Sequence, residues 1–352
     1  MNTVDTRWEK ISKEHTDKNI IKEAGDIIKN GGLVAFPTET VYGLGGDALN
    51  PESSRKIYEA KGRPSDNPLI VHIADLKDLY KIVSYIPESA LILAKHFWPG
   101  PLTMIFSKSD AVPYETTGGL DTVAVRFPSD KTAQGLIKAA GGFVAAPSAN
   151  ASGRPSPTSA KHVYEDLQGR IEMLLDGGSC EIGLESTIVD MTEEIPVILR
   201  PGYITEEMLE EVLHRVEVDR TILSNLSKAA PKAPGMKYRH YAPKGELVIV
   251  SGESPGVTAY VNERIKEGVS AGRRVGVIAT DETIGLYDDC LKKSVGRRED
   301  EAAVARRLYE ILREFDEEGA EEIYSEAFDY GGMGQAIMNR LLKAAGHHVI
   351  KV

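Results

Sequence analysis

The run Leu33-Val34-Ala35-Phe36-Pro37-Thr38-Glu39-Thr40-Val41-Tyr42-Gly43-Leu44-Gly45 decides the fold. Four apolar residues are too few for a helix and read as a short buried strand. Pro37 then delivers the chain into a turn rich in Thr and Gly. The same junction recurs at Lys61-Gly62-Arg63-Pro64-Ser65-Asp66-Asn67-Pro68, at Val123-Ala124-Val125-Arg126-Phe127-Pro128 and at Ala146-Pro147-Ser148-Ala149-Asn150-Ala151-Ser152-Gly153. Open α/β sheets gather their ligands at such strand ends. Four of them carrying Lys, Arg, Ser, Thr and Asn imply one polar cleft for a small, oxygen-rich substrate.

Outward from these turns, residues 19–30 form an amphipathic helix with Ile20, Ala24, Ile27 and Ile28 on one face. Gly31-Gly32 stops it. Apolar runs at 33–36, 69–73, 102–106, 122–127, 143–146, 173–175, 187–189 and 197–199 read as strands. Helical patterns fall at 89–97, 131–140, 160–167 and 205–216. Strands mixed with helices on this rhythm give an α/β layered domain. Some connections are too short for helices, so the predicted sheet is mixed.

The pattern fails from about residue 221. The stretch 224–244 holds three prolines, several lysines and Gly235-Met236-Lys237-Tyr238-Arg239-His240-Tyr241. Plain linkers favour Gly, Ser and Glu, so its aromatic and basic content predicts a functional lid. Strands at 246–250, 274–279 and 322–325, with helices at 298–318 and 336–345, then predict a smaller, Rossmann-like α/β domain. The expected organisation is a catalytic domain over 1–220, a linker or lid over 221–245 and a second domain over 246–352.

A length of 352 residues fits two cores. The net charge of −11 argues against a nucleic-acid coat or a membrane-surface binder, although a basic cleft can sit inside an acidic protein. Cys180 and Cys290 stand apart in sequence and read as small buried residues, which fits a reducing, cytoplasmic setting. Residues 1–10 lack the apolar core of a secretory signal, and no run approaches the ~18 apolar residues of a membrane span.

Several chemistries lose their usual handle. The sequence has no Gly-x-x-x-x-Gly-Lys-Ser/Thr, no dinucleotide fingerprint of correct spacing, no His-Glu-x-x-His and no Gly-x-Ser-x-Gly. Anion handling remains. Lys61 and Arg63, held between Gly62 and Pro64, would both face a polyphosphate if that segment is extended. Arg55 and Lys56 read as a solvated helix end. Arg126 lies in an apolar strand on the face of Thr122 and Ala124, so it needs a carboxylate or phosphate partner. A ligand carboxylate is the favoured partner, and an internal acid is the alternative. Ser148 and Asn150 can point to the same side of a turn, and the hydroxyls from Ser152 to Ser159 add an anion cradle. His72 is either a ligand contact or a satisfied core histidine.

Together these residues resemble the YrdC-type L-threonylcarbamoyladenylate synthases, in the long form with an added carboxy-terminal domain. The resemblance spans nearly the whole chain. It is carried by Lys61-x-Arg63 with Ser148-x-Asn150, by the stretch Pro234-Gly235-Met236-Lys237-Tyr238-Arg239-His240-Tyr241-Ala242-Pro243, and by the closing Met338-Asn339-Arg340.

The resemblance implies a twisted YrdC-like mixed sheet and conversion of L-threonine, bicarbonate and ATP to threonylcarbamoyl-AMP and pyrophosphate. The product would pass to a threonylcarbamoyl transferase acting on tRNA, whose direct binding here is not required. Thr40, His72, Arg126, Ser148 and Ser186 would surround threonine. Lys61, Arg63, Asn67, Thr122, Asn150, Thr158, Arg200 and Tyr238 would take ATP. Lys61, Arg63, Ser148 and Asn150 form the expected catalytic tetrad. Magnesium would arrive with ATP, bound mainly by nucleotide and water, with no protein ligand expected.

Two rivals compete with this reading. A carbamoyl-adenylating enzyme of hydrogenase maturation would need zinc-finger cysteines. An RNA-binding or ribosome-maturation protein would need aromatic platforms or a broad basic face, which 7% aromatic residues and the acidic balance disfavour.

Overall fold

In the computed structural model, which describes residues 4–12, 17–219 and 240–352, an eleven-stranded mixed sheet organises the first of two units. Among the described residues this unit runs through 152 and from 156 to 219. The second holds 153–155 and 240–352.

The first unit opens with β1 (Arg7–Lys10), α1 (Lys18–Lys29), β2 (Val34–Phe36), β3 (Gly43–Asp47), α2 (Pro51–Lys61) and β4 (Ile70–His72). It continues through α3 (Leu76–Ile82), α4 (Glu88–Phe97), β5 (Leu102–Ser107), α5 (Tyr114–Thr117), β6 (Thr122–Arg126), α6 (Lys131–Ala139) and β7 (Val144–Ala145). The remaining elements are α7 (Ala160–Leu167), β8 (Met173–Asp176), β9 (Thr187–Asp190), β10 (Val197–Arg200), α8 (Glu206–Leu213) and β11 (Glu217–Val218). The strand order is β1-β8-β2-β3-β7-β4-β6-β5-β9-β10-β11. Parallel pairs such as β4 with β6 and β5 with β9 alternate with antiparallel ones such as β5 with β6 and β9 with β10. The sheet is mixed, as the short connections imply.

Alternation along the strands sends side chains to two faces. Val71, Val123, Val125, Met104 and Phe106 point to one face. There they pack with Ile57 of α2, Leu79 of α3, Leu93 of α4, Val163 of α7 and Leu209 of α8 in the main core. The opposite face packs in two parts. Around β2, β7 and β8 it packs against Ile21, Ala24 and Ile28 of α1 and against Ala133, Leu136 and Ile137 of α6. Beyond β4 the same face carries a small cluster of Ile70, Ile105, Ala124, Ile188 and Leu199, which no helix residue joins among those described. Among the described residues this half of the face is the part that α1 and α6 do not reach, although its members are buried.

Strands β1 and β11 and helices α3 and α5 were not read from the sequence, and two further elements differ from the reading. The Gly43-x-Gly45 run, read as a turn, is β3. Glycine weakens strands and so hides them, but here its missing side chain makes room: an added Cβ at Gly45 would stand 2.9 Å from Val144 Cγ1 and 3.0 Å from Phe36 Cε1. The basic run before Pro64 is not extended. Asn50 caps α2 through the Glu52 amide, Pro51 starts it, and Lys61 is its last residue. Gly62 then takes the left-handed conformation, with φ of 62°, which a Cβ would strain.

The second unit contains β12 (Glu246–Ser251), α9 (Ser254–Ser270), β13 (Val275–Ala279), β14 (Leu291–Ser294), α10 (Glu301–Glu318), β15 (Glu322–Glu326), α11 (Gly334–Ala344) and β16 (Val349–Lys351). Its five strands pair in the order β14-β13-β15-β12-β16, all parallel. The sequence reading missed α9, β14 and β16. The charged helix starts at Glu301, later than residue 298, because Asp300 caps it through the Ala303 amide.

Helices α1 and α6 touch through Gly25, where an added Cβ would lie 2.6 Å from the Ala139 carbonyl carbon. Gly25→Ala gains helix propensity, about 1 kcal/mol. The clash is with backbone, which cannot swing aside, so it outweighs that gain. We expect a net loss of about 1–3 kcal/mol in denaturant unfolding; a raised midpoint would show that the two helices can part without cost.

Candidate functional site

Strand register lines up one row across the half of the sheet that α1 and α6 do not reach. His72 of β4 faces Arg126 of β6, Arg126 faces Thr103 of β5, Thr103 faces Ile188 of β9, and Ile188 faces Arg200 of β10. Directly paired residues share a face. Arg126 and Arg200 thus sit on the same face, three strands or roughly 14 Å apart.

Arg126 is buried and already paired. Its Nη1 donates to Thr40 Oγ1 at 2.9 Å, and its Nη2 lies 2.7 Å from Glu39 Oε1. The internal acid therefore exists, which corrects the preference for a ligand as the sole counter-charge. The loop between β2 and β3 supplies both partners. Thr38 Oγ1 shapes that loop, accepting from the Thr40 and Val41 amides. The segment before β9 braces it, with Ile182 N donating to Glu39 O at 2.9 Å and Gly183 N to Thr40 O at 3.1 Å.

His72 is a satisfied core histidine as well as a neighbour of Arg126. Its Nδ1 is 3.1 Å from Ile70 O, and its ring stands edge-on to Phe36 at 6.3 Å. Burial, with help from the Arg126 charge, pushes the imidazole down to about 3, so it is neutral at physiological pH.

Lys61 Nζ, at the carboxyl end of α2, donates to the carbonyls of both Ser148 and Asn150. A cation at a helix C-terminus is favourable, and here it also pins the turn after β7. That turn is stitched to β3: Gly43 bridges Ser148, Leu44 N donates to Pro147 O, and Ala149 N donates to Tyr42 O. Ser148 Oγ donates to Asn150 Oδ1 within it. Arg63 lies beyond the helix and points elsewhere, to Asn67 O at 3.3 Å and Pro68 O at 3.2 Å. Asn67 is buried, with Oδ1 unpartnered by any protein group. Thr122 opens β6; the β4–β6 register, followed back from Ile70 and Ala124, sets it level with Pro68. Arg63, Asn67 and Thr122 thus gather at one end of β6, and Arg126 marks the other.

Ser186 and Arg200 form a further group. Ser186 Oγ is 2.7 Å from Thr103 Oγ1, and Arg200 donates to Ser186 O and Oγ at 3.1 and 3.2 Å. Thr158 is buried before α7, its amide 3.4 Å from His162 Nδ1. Tyr238 lies outside the described residues, as does most of the proposed lid.

Residues 26–202 match the Sua5–YciO–YrdC family, described as "Telomere recombination", and residues 204–346 match the threonylcarbamoyl-AMP synthase C-terminal domain. The chain belongs to the Sua5–YciO–YrdC family. It is 47% identical over 340 residues to a threonylcarbamoyl-AMP synthase of Pyrococcus abyssi, covering 97% of this chain and 98% of that one. A Bacillus subtilis protein of the same name is 49% identical over 332 residues, 94% of each. The solved structure of Pyrococcus abyssi Sua5 complexed with L-threonine superposes with a TM-score of 0.92 at 45% identity, covering 99% of this chain and 100% of that one. Escherichia coli YciO shares the first unit's fold, with a TM-score of 0.52 at 24% identity over 56% of this chain and 96% of that one.

Within this family frame, Glu39 and Thr103 are polar residues that the sequence reading did not assign. Glu39 had a signal: an acid between two threonines, directly after a buried strand. Thr103 had none, because its role depends on strand pairing.

The buried His72 generates a pH prediction. Its native affinity for protons is depressed, so between about pH 6.5 and 3 the unfolded chain binds a proton that the native chain does not. Stability from this residue is complete above pH 6.5 and is lost as pH falls. His72→Gln should remove up to about one proton from the acid-side slope of unfolding free energy against pH. Equal slopes in wild type and variant would place the histidine in a polar, titrating environment.

Proposed function

We propose that this protein condenses L-threonine, bicarbonate and ATP into threonylcarbamoyl-AMP, releasing pyrophosphate and water, and so acts as a nucleotidyltransferase. Near full-length similarity to two synthases supports this reading, and so does a structural relative that carries L-threonine. Within the chain, the observation that carries it is the half-sheet beyond α1 and α6, with a buried guanidinium at one end of β6 and a cationic, Asn-bearing loop at the other.

Threonine's carboxylate would take Arg126, with Thr40, neutral His72, Ser148 and Ser186 around its amine and hydroxyl. ATP would take Arg63, Asn67, Thr122, Asn150, Thr158 and Arg200. Lys61 would contribute its charge while holding the Ser148–Asn150 turn in shape. The apolar floor of Ile70, Ala124 and Ile105 offers a surface for a flat base.

The threonine amine attacks bicarbonate carbon, and water leaves. An oxygen of the resulting carbamate attacks the α-phosphorus in line, and pyrophosphate departs. Such transfers depend on positioning and charge neutralisation more than on a protein nucleophile. Among the described residues no three His, Cys, Asp or Glu side chains gather to hold a metal. A magnesium ion carried by the nucleotide's phosphates and water would supply charge neutralisation there.

The product is a reactive mixed anhydride, suited to a transferase that modifies tRNA. Neither Cys180 nor Cys290 is in a disulfide, and the setting we propose is reducing and cytoplasmic. No described helix is long and apolar enough to cross a membrane.

Purified protein should release pyrophosphate from ATP only when threonine and bicarbonate are both present; release without either would overturn the reading. Arg63→Ala should cost about 100-fold or more in turnover with a much smaller effect on melting temperature than Lys61→Ala, since Arg63 is half-exposed whereas Lys61 is buried. Lys61→Ala should lose both turnover and stability. It strands two carbonyls, at about 1–3 kcal/mol for each that stays buried.

A further inference from the structure

Glu39 pairs with Arg126 and also lines a cavity. It is 6% exposed and Arg126 is 4% exposed. Their charges touch at 2.7 Å, yet both Glu39 carboxylate oxygens, and Nε and Nη2 of Arg126, make no hydrogen bond to any protein group. The N–H and the lone pair are out of line. A buried ion pair in this state keeps its Coulomb attraction and forfeits the directional bonds that would repay desolvation. Such a pair exchanges partners readily once a better-aligned one arrives.

Glu39 also lines a cavity of about 210 Å³ with Ser129, Asp130, Lys131, Thr132 and Glu181. Three carboxylates against one ammonium favour a cationic group there. Asp130 is partly committed, since it caps α6 through the Ala133 amide, and Lys131 is exposed at the helix start. His72, the row partner of Arg126, is neutral and adds no charge. A guanidinium short of aligned acceptors beside an acid-lined cavity matches the two ends of an amino-acid zwitterion.

Resting on the threonine reading above, we propose that Glu39 is a catalytic residue that trades Arg126 for the substrate's ammonium and removes its proton. The threonine carboxylate takes the guanidinium. Glu39, released from the guanidinium, faces the ammonium directly. One ammonium N–H bond breaks, its electron pair stays on nitrogen, and the proton forms an O–H bond on Glu39. The neutral amine then forms the N–C bond to bicarbonate. The departing hydroxide takes an amine proton and leaves as water, giving the carbamate. Glu39 returns its proton to solvent when product leaves. In the resting protein the same carboxylate keeps Arg126 from standing as an uncompensated buried charge.

The test compares full-length wild type, Glu39→Gln and Glu39→Asp in pyrophosphate release from pH 7 to 9, with threonine, bicarbonate and ATP. Melting curves and titration with a non-hydrolysable ATP analogue check the fold and the nucleotide site. Glu39→Gln should lose about 100-fold or more in kcat/KM for threonine at pH 7 while binding the analogue within about twofold of wild type. Its rate should climb about tenfold per pH unit, because only amine already deprotonated in solution reacts, whereas wild type stays nearly flat. Glu39→Asp should lose about tenfold and keep the flat profile.

A glutamine variant within about threefold of wild type overturns the role, as does a loss whose pH profile parallels wild type. If glutamine fails to fold, an aspartate variant with the steep profile overturns it. A wild type that releases no pyrophosphate with both co-substrates removes the functional reading itself; a working wild type beside an unaffected glutamine variant removes only Glu39.

Discussion

A lysine charge buried at the end of a helix sets the shape of the site. Lys61 is 3% exposed, and its ammonium is held by the carbonyls of Ser148 and Asn150. A buried charge is tolerated only when it is well solvated by protein dipoles. Here those dipoles belong to the turn after β7. The turn is in turn stitched to β3 by the amides of Leu44 and Ala149. One side chain thus ties α2, β3 and the Ser148–Asn150 turn together, so the polar groups lie on an ordered surface. The geometry depends on α2 ending where it does, which Gly62 enforces.

The second constraint is where, among the described residues, helices α1 and α6 do not reach. Helices α1 and α6 shield one half of a sheet face, and five other helices shield the opposite face. The remaining half-face carries charged and hydroxyl side chains over a small apolar floor. Catalysis by positioning needs such a rigid platform, since an ångström of slack in substrate placement is costly. The platform also explains why no nucleophile or base pair stands out in sequence. Its chemistry is spread over loops and strand ends, of which register aligns His72, Arg126, Thr103 and Arg200 in one row.

Much of this was legible from residue patterns. The apolar runs ending in Gly- and Pro-rich turns located β2, β4, β6, β7, β9 and β10 to within a residue or two, because burial on both faces writes a strand plainly. Strand β3 was not legible, since its glycines are there to admit Phe36 and Val144 and carry no strand signal of their own. Lys61 and Arg63 were recognised as a pair, but alternation was the wrong period for residues that end a helix. Arg126 was recognised as an arginine in need of a partner. Which partner it has could not be read from the chain, because Glu39 reaches it through a loop on a different strand. The sequence marks the groups that need company, and only the fold says who supplies it.

The most direct measurement is a crystal structure of the protein with threonine and a non-hydrolysable ATP analogue. The account predicts the threonine carboxylate at hydrogen-bond distance, about 3 Å, from the Arg126 guanidinium, with the nucleotide on the same half-face, its phosphates against the Arg63 loop and the Lys61-pinned turn. Threonine bound elsewhere while Arg126 keeps Glu39 as its sole counter-charge, or a nucleotide away from that half-face, would contradict it.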